Sequence, residues 1–288
     1  MKSIGITLGD QAGIGPEVVR AALDSGHLPE GYVFRVIGEE VSVMPGEPTR
    51  ESAEEALRAL EESVSLLRLG EIDAVVTAPV GKEGLHEVGF DFPGQTEFFA
   101  ERLGCDDYAM CLTGRNLTVA LVTIHVGIAE VPDLLREDEI VRVGKLLASF
   151  CKQKGSGYPK VAVCGLNPHA GENGAFGDED MRIVVPAVER LCEECEGVEF
   201  SGPHPPDTIF RPAADGFYDA VLCMYHDQGL IPLKLLDFDT GVNVTLGLPF
   251  PRTSPDHGTA YDIAGTGKAD PSSMVHAIRL ACEMLRSR

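Results

Sequence analysis

Apolar runs typical of buried strands alternate with helical segments along the first hundred residues of this chain. The strand-like runs are SIGITLG, YVFRVIG and IDAVVTAPV, and each is followed by a segment with helical spacing. Alternation of this kind is typical of βαβ units, in which strands pair in parallel and helices cover the sheet. One such segment, Glu51 to Gly70, repeats apolar residues every three to four positions and stops at a glycine. The sequence therefore predicts an α/β protein.

Two further segments are predicted to be long helices in the second half of the chain. The first runs from Asp133 to near Gly155, and the second covers EDMRIVVPAVERLCEECEG. A chain of 288 residues with 44% hydrophobic residues can bury a substantial core. That core could belong to one large α/β unit or to two lobes.

Three histidines lie at or just beyond the end of an apolar, strand-like run. The runs are LTVALVTIH, VAVCGLNPH and YDAVLCMYH, and their histidines are His125, His169 and His226. Because a parallel sheet presents the carboxyl ends of its strands on one edge, where ligands bind, this pattern predicts that the three imidazoles share one crevice. Neutral imidazoles bind divalent metals such as Zn, Co, Mn or Ni, so they would form a metal site with open positions. For each histidine alone, the alternative is a hydrogen-bonded structural or surface residue.

The charge balance argues against polyanionic partners. The chain has 45 acidic and 24 basic residues and a formal net charge of -21. Such a surface repels phosphate backbones and anionic membranes, so we expect neither nucleic-acid nor membrane binding. A small anionic substrate would need a local cluster of Lys, Arg and metal. No apolar run is long enough to span a bilayer and no leader pattern precedes the first strand, so we expect a cytoplasmic protein.

A glycine-rich turn, Gly9 to Glu17, follows the first strand and places Pro16 at the start of a helix. Its backbone amides could cradle an anion. A tight turn with a purely structural role is the alternative.

The segment from Asp256 to Met274 resembles the adenosine-binding loop of the isocitrate and isopropylmalate dehydrogenase superfamily. Its sequence is DHGTAYDIAGTGKADPSSM. The resemblance implies that the adenosine half of a dinucleotide lies along His257, Gly258, Ala260, Asp262 and Gly265. A carboxylate at Asp262 can accept hydrogen bonds from both ribose hydroxyls and would repel an additional phosphate, so NAD is favoured over NADP.

Motifs over nearly the whole chain resemble the 4-hydroxythreonine-4-phosphate dehydrogenase family of that superfamily. They are TLGDQAGIGPE, VTAPVGK, GQTEF, GLNPHAGENGAFGDED, GPHPPDTIF, MYHDQGLIPLK and GVNVTLGLPFPRTSPDHGTA. The resemblance implies that His125, His169 and His226 bind one catalytic divalent ion, with Zn, Co, Mn, Mg and Ni not distinguished.

The same resemblance implies a set of residues that hold a small anionic substrate. They are Thr96, Lys234, Asn243 and Arg252, together with Gln95, which stands where the family usually has a histidine. Lys and Arg would supply the local positive charge that the acidic surface makes necessary, and Arg suits bidentate contacts with carboxylate or phosphate.

The implied fold is two α/β/α lobes with a cleft between them, like isocitrate and isopropylmalate dehydrogenases. Residues 1–95 and 255–288 would form the first lobe, with the nucleotide-binding loop. Residues 96–254 would form the second lobe, with the metal ligands and the dimer interface. Related enzymes are homodimers with a shared active site, and we expect the same here.

The expected reaction is NAD-dependent, metal-dependent oxidative decarboxylation of a phosphorylated β-hydroxy acid, namely 4-hydroxythreonine-4-phosphate in pyridoxal phosphate biosynthesis. Asp207 and Asp227 are candidates for proton transfer or for orienting metal ligands, and Lys234 is a candidate proton shuttle. A turn or helix cap is the alternative role for both aspartates.

Gln95 in place of the family histidine leaves the substrate open. A relative acting on D-threonate or D-erythronate 4-phosphate, or on a carboxylated cis-dihydrodiol, is the alternative enzyme. A metal-dependent lyase and a non-catalytic metabolite-binding protein are further alternatives. The HGTAYDIAG loop argues against the lyase, and the complete set of site residues argues against the binding protein.

Overall fold

The computed structural model describes residues 1–287, in which helices alternate with mostly parallel strands. The predicted α/β class is therefore confirmed. The elements in chain order are β1 (Lys2–Thr7), α1 (Gly15–Asp24), β2 (Tyr32–Ile37), α2 (Arg50–Leu69), β3 (Ala74–Thr77), α3 (Lys82–Glu87), α4 (Gln95–Leu103), β4 (Ala109–Thr113), β5 (Thr118–Leu121), α5 (Val131–Leu134), α6 (Glu137–Gln153), β6 (Lys160–Cys164), a left-handed segment (Pro168–Gly174), a π turn (Asp180–Val184), α7 (Val185–Glu194), β7 (Glu199–His204), α8 (Phe210–Ala214), β8 (Ala220–Cys223), α9 (His226–Asp237), β9 (Val242–Leu246), β10 (Arg252–Pro255) and α10 (Ser272–Arg286).

The chain divides into two compact units, and the first is built from both chain ends: residues 1–106 and the residues from 242 onward. Its strands lie in the order β2, β1, β3, β10, β9. All neighbours pair in parallel except β9, which runs antiparallel to β10. Helix α10 packs on β10 and β3 and contacts α1, whereas α2 packs on β1 and contacts α3 and α4.

The second unit is a continuous stretch, residues 107–241. Its strands lie in the order β4, β5, β8, β6, β7, and only β4 is antiparallel to its neighbour. Helix α6 packs on β8 and contacts α7, and α9 packs on β5 and β8. Buried side chains of β5, β6, β8 and α9 pack together in one hydrophobic cluster of this unit, so the carboxyl ends of these three strands are held on a closely packed base.

The unit boundaries differ from the predicted lobes, which placed residues 96–106 and 242–254 in the second lobe. By their contacts these residues belong to the first unit. Strand β9 pairs with β10, which pairs with β3, and α4 packs against α2. This strand pairing joins residues that are far apart in the sequence. The composition of the sequence does not change at the unit boundaries, so they could not be predicted from it.

The predicted amphipathic helix is α2, and its ends follow from local chemistry. Thr49 and Ser52 form a reciprocal capping box at its start, and Gly70 ends it in the left-handed conformation with φ 69°. The predicted long helix from Asp133 is instead broken into α5 and α6, because Leu135 and Arg136 are extended. Three acidic residues in the first turn of α6 favour a new helix start there.

The second predicted long helix also starts differently from the expectation. A π turn over Asp180–Val184 precedes α7, whose first turn contains a proline. Within residues 1–287 no helix combines the length and apolar character needed to cross a bilayer.

Candidate active site

Strands β5, β8 and β6 are adjacent and parallel in the second unit. The segments that carry His125, His226 and His169 follow these three strands. Their exits therefore lie on one edge of the sheet, as expected for parallel strands.

Two of the three histidines lie side by side in this unit. The ring centroids of His125 and His226 are 5.6 Å apart. Asp227 Oδ1 lies 2.7 Å from Nδ1 of His226, so the carboxylate fixes the ring and leaves Nε2 for a ligand. The pair opens into a cavity of about 350 Å³ whose wall also includes Ile128 and Tyr225. Burial raises the pKa of the Tyr225 hydroxyl, which keeps it a neutral donor near pH 7.

His169 lies in the left-handed segment Pro168–Gly174 and is exposed. Its φ is 54°, and Ala170, Glu172 and Asn173 also have positive φ, a conformation that costs energy for residues other than glycine. The His169 ring contacts Phe176, with centroids 5.8 Å apart. Over residues 1–287 no three His, Cys, Asp or Glu side chains of a single chain cluster closely enough to hold a metal ion.

The first unit contains a buried arginine with neutral hydrogen-bond partners. Arg252, at the start of β10, is 3% exposed. Its Nη2 donates to Thr77 Oγ1 at 2.7 Å and to Gln95 Oε1 at 3.0 Å. Its Nη1 lies 3.4 Å from Thr245 Oγ1 and 3.5 Å from Asn243 Oδ1. Among the described residues no carboxylate forms an ion pair with this guanidinium.

The charge of Arg252 is only partly compensated by the protein. Burial lowers the pKa of the Arg252 guanidinium to about 10, while the negative charge of Glu97 acts in the opposite direction. The group stays cationic near neutral pH, and its buried Nε lacks a hydrogen-bond acceptor. A buried cation with an unused donor is suited to binding an anionic group.

Four of the predicted substrate residues, Gln95, Thr96, Asn243 and Arg252, come together here. Thr96 is buried and its Oγ1 lies 3.3 Å from Thr245 Oγ1, which in turn contacts Arg252. The remaining three candidates lie in the second unit. Lys234 is an exposed residue of α9, Asp227 is the second residue of that helix and follows His226, and Asp207 is exposed between β7 and α8.

Two residues of this cluster were not singled out from the sequence. Thr77 ends β3 and accepts from Arg252, and Glu97 in α4 has a buried Oε2 without a hydrogen-bond donor. Both lie inside the motifs VTAPVGK and GQTEF. The motifs could therefore have drawn attention to Thr77 and Glu97, but they did not indicate that these residues lie beside Arg252.

The loop after β10 packs onto the glycine-rich turn of the same unit. Tyr261 donates to Asp10 Oδ2 at 2.5 Å, and Gly265 N donates to Glu17 Oε2 at 3.2 Å. Burial, followed by the neighbouring Asp10 carboxylate, raises the pKa of the Tyr261 hydroxyl. His257 has a buried Nε2 without a partner, whereas Gly258 and Asp262 are exposed and Ala260 adopts φ 42°.

Four amides of the glycine-rich turn already donate to oxygen atoms of the protein. The N–H groups of residues 10, 12, 13 and 14 donate to the oxygens of Pro79, Asp10 and Thr259. This favours the structural alternative over an anion cradle, because those donors are already satisfied.

Comparison with known proteins places the chain among sequence relatives along its full length. A family model described as "Pyridoxal phosphate biosynthetic protein PdxA" matches residues 18–281. A 4-hydroxythreonine-4-phosphate dehydrogenase of Desulfosudis oleivorans is 45% identical, with 97% of this chain and 95% of that protein covered. A D-threonate 4-phosphate dehydrogenase of Pectobacterium atrosepticum is 40% identical, with 98% of this chain and 99% of that protein covered.

Solved structures of related proteins have a similar fold. The structure of a 4-hydroxythreonine-4-phosphate dehydrogenase from Klebsiella pneumoniae matches with a TM-score of 0.82 at 40% identity, and 99% of each chain is covered. An isocitrate dehydrogenase from Methylococcus capsulatus matches with a TM-score of 0.58 at 16% identity, over 99% of this chain and 85% of that one. The second match concerns the fold alone, and it confirms the predicted isocitrate dehydrogenase-like architecture.

Proposed function

Because the chain belongs to the family of the pyridoxal phosphate biosynthetic protein PdxA, we propose that it is a dehydrogenase that oxidatively decarboxylates 4-hydroxythreonine-4-phosphate with NAD and a divalent metal ion. Buried Arg252 is the observation that carries the proposal. Its partners are neutral and its Nε is unused, so it needs an anion that the protein itself does not supply.

The residues around Arg252 would orient the anionic group of the substrate. Thr77 and Gln95 accept hydrogen bonds from one guanidinium nitrogen of Arg252, and these two bonds fix the plane of the guanidinium. The neutral partners leave its charge available, and the guanidinium offers planar, paired donors to a phosphate or carboxylate.

The paired histidines fit a divalent metal ion. Two imidazoles whose nitrogens lie roughly 2 Å from one ion have nearby rings, and the centroid separation of 5.6 Å between His125 and His226 suits this. The Asp227 carboxylate on the far nitrogen of His226 is the usual support for a metal-binding histidine. We assign the third ligand to His169, as the resemblance implies.

The loop after β10 fits a nucleotide. The buried and unpartnered Nε2 of His257 would gain a partner from a ligand, and exposed Asp262 can accept from ribose hydroxyls. When bound, NAD supplies the hydride acceptor and the divalent ion stabilises negative charge on a substrate oxygen.

The remaining steps require proton transfer by side chains of the chain. Asp227 is already engaged with His226, so we assign it an orienting role. Lys234 and Asp207 are exposed and remain the proposed proton carriers.

A substrate panel tests this function. We expect reduction of NAD with 4-hydroxythreonine-4-phosphate, weaker reduction of NADP because Asp262 would repel the extra phosphate, and loss of activity with a chelator. The measurement is absorbance of the reduced nicotinamide with each substrate, cofactor and metal condition. Undiminished activity with chelator present, or equal rates with a substrate that lacks phosphate, would contradict the proposal.

D-threonate 4-phosphate is the second candidate substrate. Gln95 contacts Arg252 through a neutral amide, where the family usually has a histidine, and one relative of 40% identity carries that substrate in its name. The same panel separates the two candidates by their kcat/KM values.

We also propose that the active enzyme is a homodimer that shares its metal site. Helix α9 exposes Ile231 and Leu235, and the next residue after the helix is Phe238; the three are 66%, 81% and 70% exposed in the single chain. A row of apolar side chains on one helix face is typical of an interface. The lack of a three-ligand cluster within residues 1–287 of one chain also supports a second copy.

Leu235→Glu is expected to disrupt the dimer, because it places a charge in an apolar interface. We expect sedimentation or light scattering to give the mass of a monomer, together with loss of metal binding. Leu69→Glu is the matched control, since Leu69 is 72% exposed in the first unit and should tolerate the charge. A wild-type protein that is monomeric and fully active at micromolar concentration would refute the dimer.

A further inference from the structure

The segments that follow β5 and β8 are joined by hydrogen bonds just before their histidines. Thr123, two residues before His125, donates to Met224 O from its backbone N at 3.1 Å and from Oγ1 at 2.8 Å. Met224 precedes His226 in the chain. The backbone of Met224 therefore links two of the three histidine-bearing segments.

One side chain extends this link to the third segment. Gln228 is 6% exposed, and its Oε1 accepts from Met224 N at 2.7 Å. Its Nε2 donates to Gly165 O at 2.8 Å. Gly165 directly follows β6 and leads to His169, so Gln228 spans the exits of β8 and β6.

The hydrogen bonds of Gln228 begin where the strand ladder stops. The last paired residues of β6 and β8 are Val163 and Leu222, and the two strands then lead into different segments. Beyond Gly165 the chain is held by buried Asp180, which accepts from Leu166 N at 2.7 Å and from Asn167 N at 2.9 Å. The start of the His169 segment, residues 165–167, is therefore held by hydrogen bonds to both Gln228 and Asp180.

We infer that Gln228 is a positioning residue that fixes the starts of the three histidine segments relative to one another, so that the histidines can bind one metal ion. The inference rests on the proposed metal-dependent function. Gln228 touches neither metal nor substrate and acts through the backbone of Met224 and Gly165.

Two variants of Gln228 test the inference by direct titration of the protein with Co²⁺ or Zn²⁺. Gln228→Met keeps the length of the side chain but removes both hydrogen bonds, and we expect metal affinity to fall about 10- to 100-fold, as for other supporting residues around metal ligands. Gln228→Glu keeps the acceptor for Met224 N but points a carboxylate oxygen at Gly165 O. It should weaken binding comparably and alter the visible spectrum of bound Co²⁺, whereas KM for NAD should stay unchanged.

Asp237→Asn is the matched control at the other end of α9. Asp237 is buried and accepts from the backbone of residues 115, 116 and 117, but it lies roughly 16 Å along the helix from His226. This variant should lower the melting temperature and leave metal affinity within about twofold of wild type.

The outcomes separate the two proposals. Unchanged metal affinity and an unchanged Co²⁺ spectrum in a folded Gln228→Glu protein would overturn the positioning role, even if its melting temperature fell. A wild-type protein that binds neither ion would overturn the proposed function and, with it, this inference.

Discussion

His169→Ala is expected to abolish turnover while leaving the fold intact. A bound metal ion stabilises developing charge by several kcal/mol, so loss of a ligand should cost roughly a thousand-fold in kcat. His169 is exposed and outside the core, so the circular dichroism spectrum and melting temperature should match those of wild type. Metal content is measured by atomic emission and kcat by NAD reduction.

His27→Ala provides the control, because His27 is also an exposed histidine but belongs to the first unit, whereas the three candidate ligands belong to the second. It should keep both metal and activity. Full activity in metal-free His169→Ala protein would refute the assignment of the metal ligands.

Arg252→Met is the second substitution with a large expected effect. It should lower kcat/KM for the phosphorylated substrate about 100- to 10,000-fold, because two charge-assisted hydrogen bonds worth roughly 1.5–3 kcal/mol each are lost. The KM for NAD should change little. The protein should fold, since methionine removes a buried charge whose partners are neutral.

Arg252→Lys and Arg35→Met complete this test. Lysine keeps the charge but not the planar set of donors, so most of the loss should remain. Arg35 forms exposed ion pairs with Glu71 and Glu62, and its loss should leave kcat/KM unchanged. Equal kcat/KM values for wild type and Arg252→Met would show that the anion binds elsewhere.

The sequence predicted the α/β class and the placement of three histidines after strands that end on one edge of the sheet for one physical reason. The convergence of the three imidazoles on one metal ion stays a prediction. Parallel strands read as short apolar runs, and their carboxyl ends meet at one edge. Within the second unit, β5, β8 and β6 are neighbours, so the histidines follow adjacent strands. The left-handed path of Pro168–Gly174 was not predictable, because four of its residues adopt positive φ without being glycine.

The surroundings of Arg252 show why the remaining details do not follow from the sequence. The motifs identified the arginine, but Thr77, which accepts its shortest hydrogen bond, is 175 positions away in the chain. Contacts of this separation leave no mark on local composition or periodicity. The same holds for Gln228, whose role depends on Gly165, 63 positions earlier.

The discontinuous first unit has a consequence for synthesis on the ribosome. Strand β3 pairs with β10, so its edge stays open until residues 252–255 have been translated. The second unit has no such delay, because residues 107–241 are contiguous. We therefore expect nascent chains to carry an unpaired, apolar strand edge until β10 is made, and premature association between growing polypeptides to start at this edge.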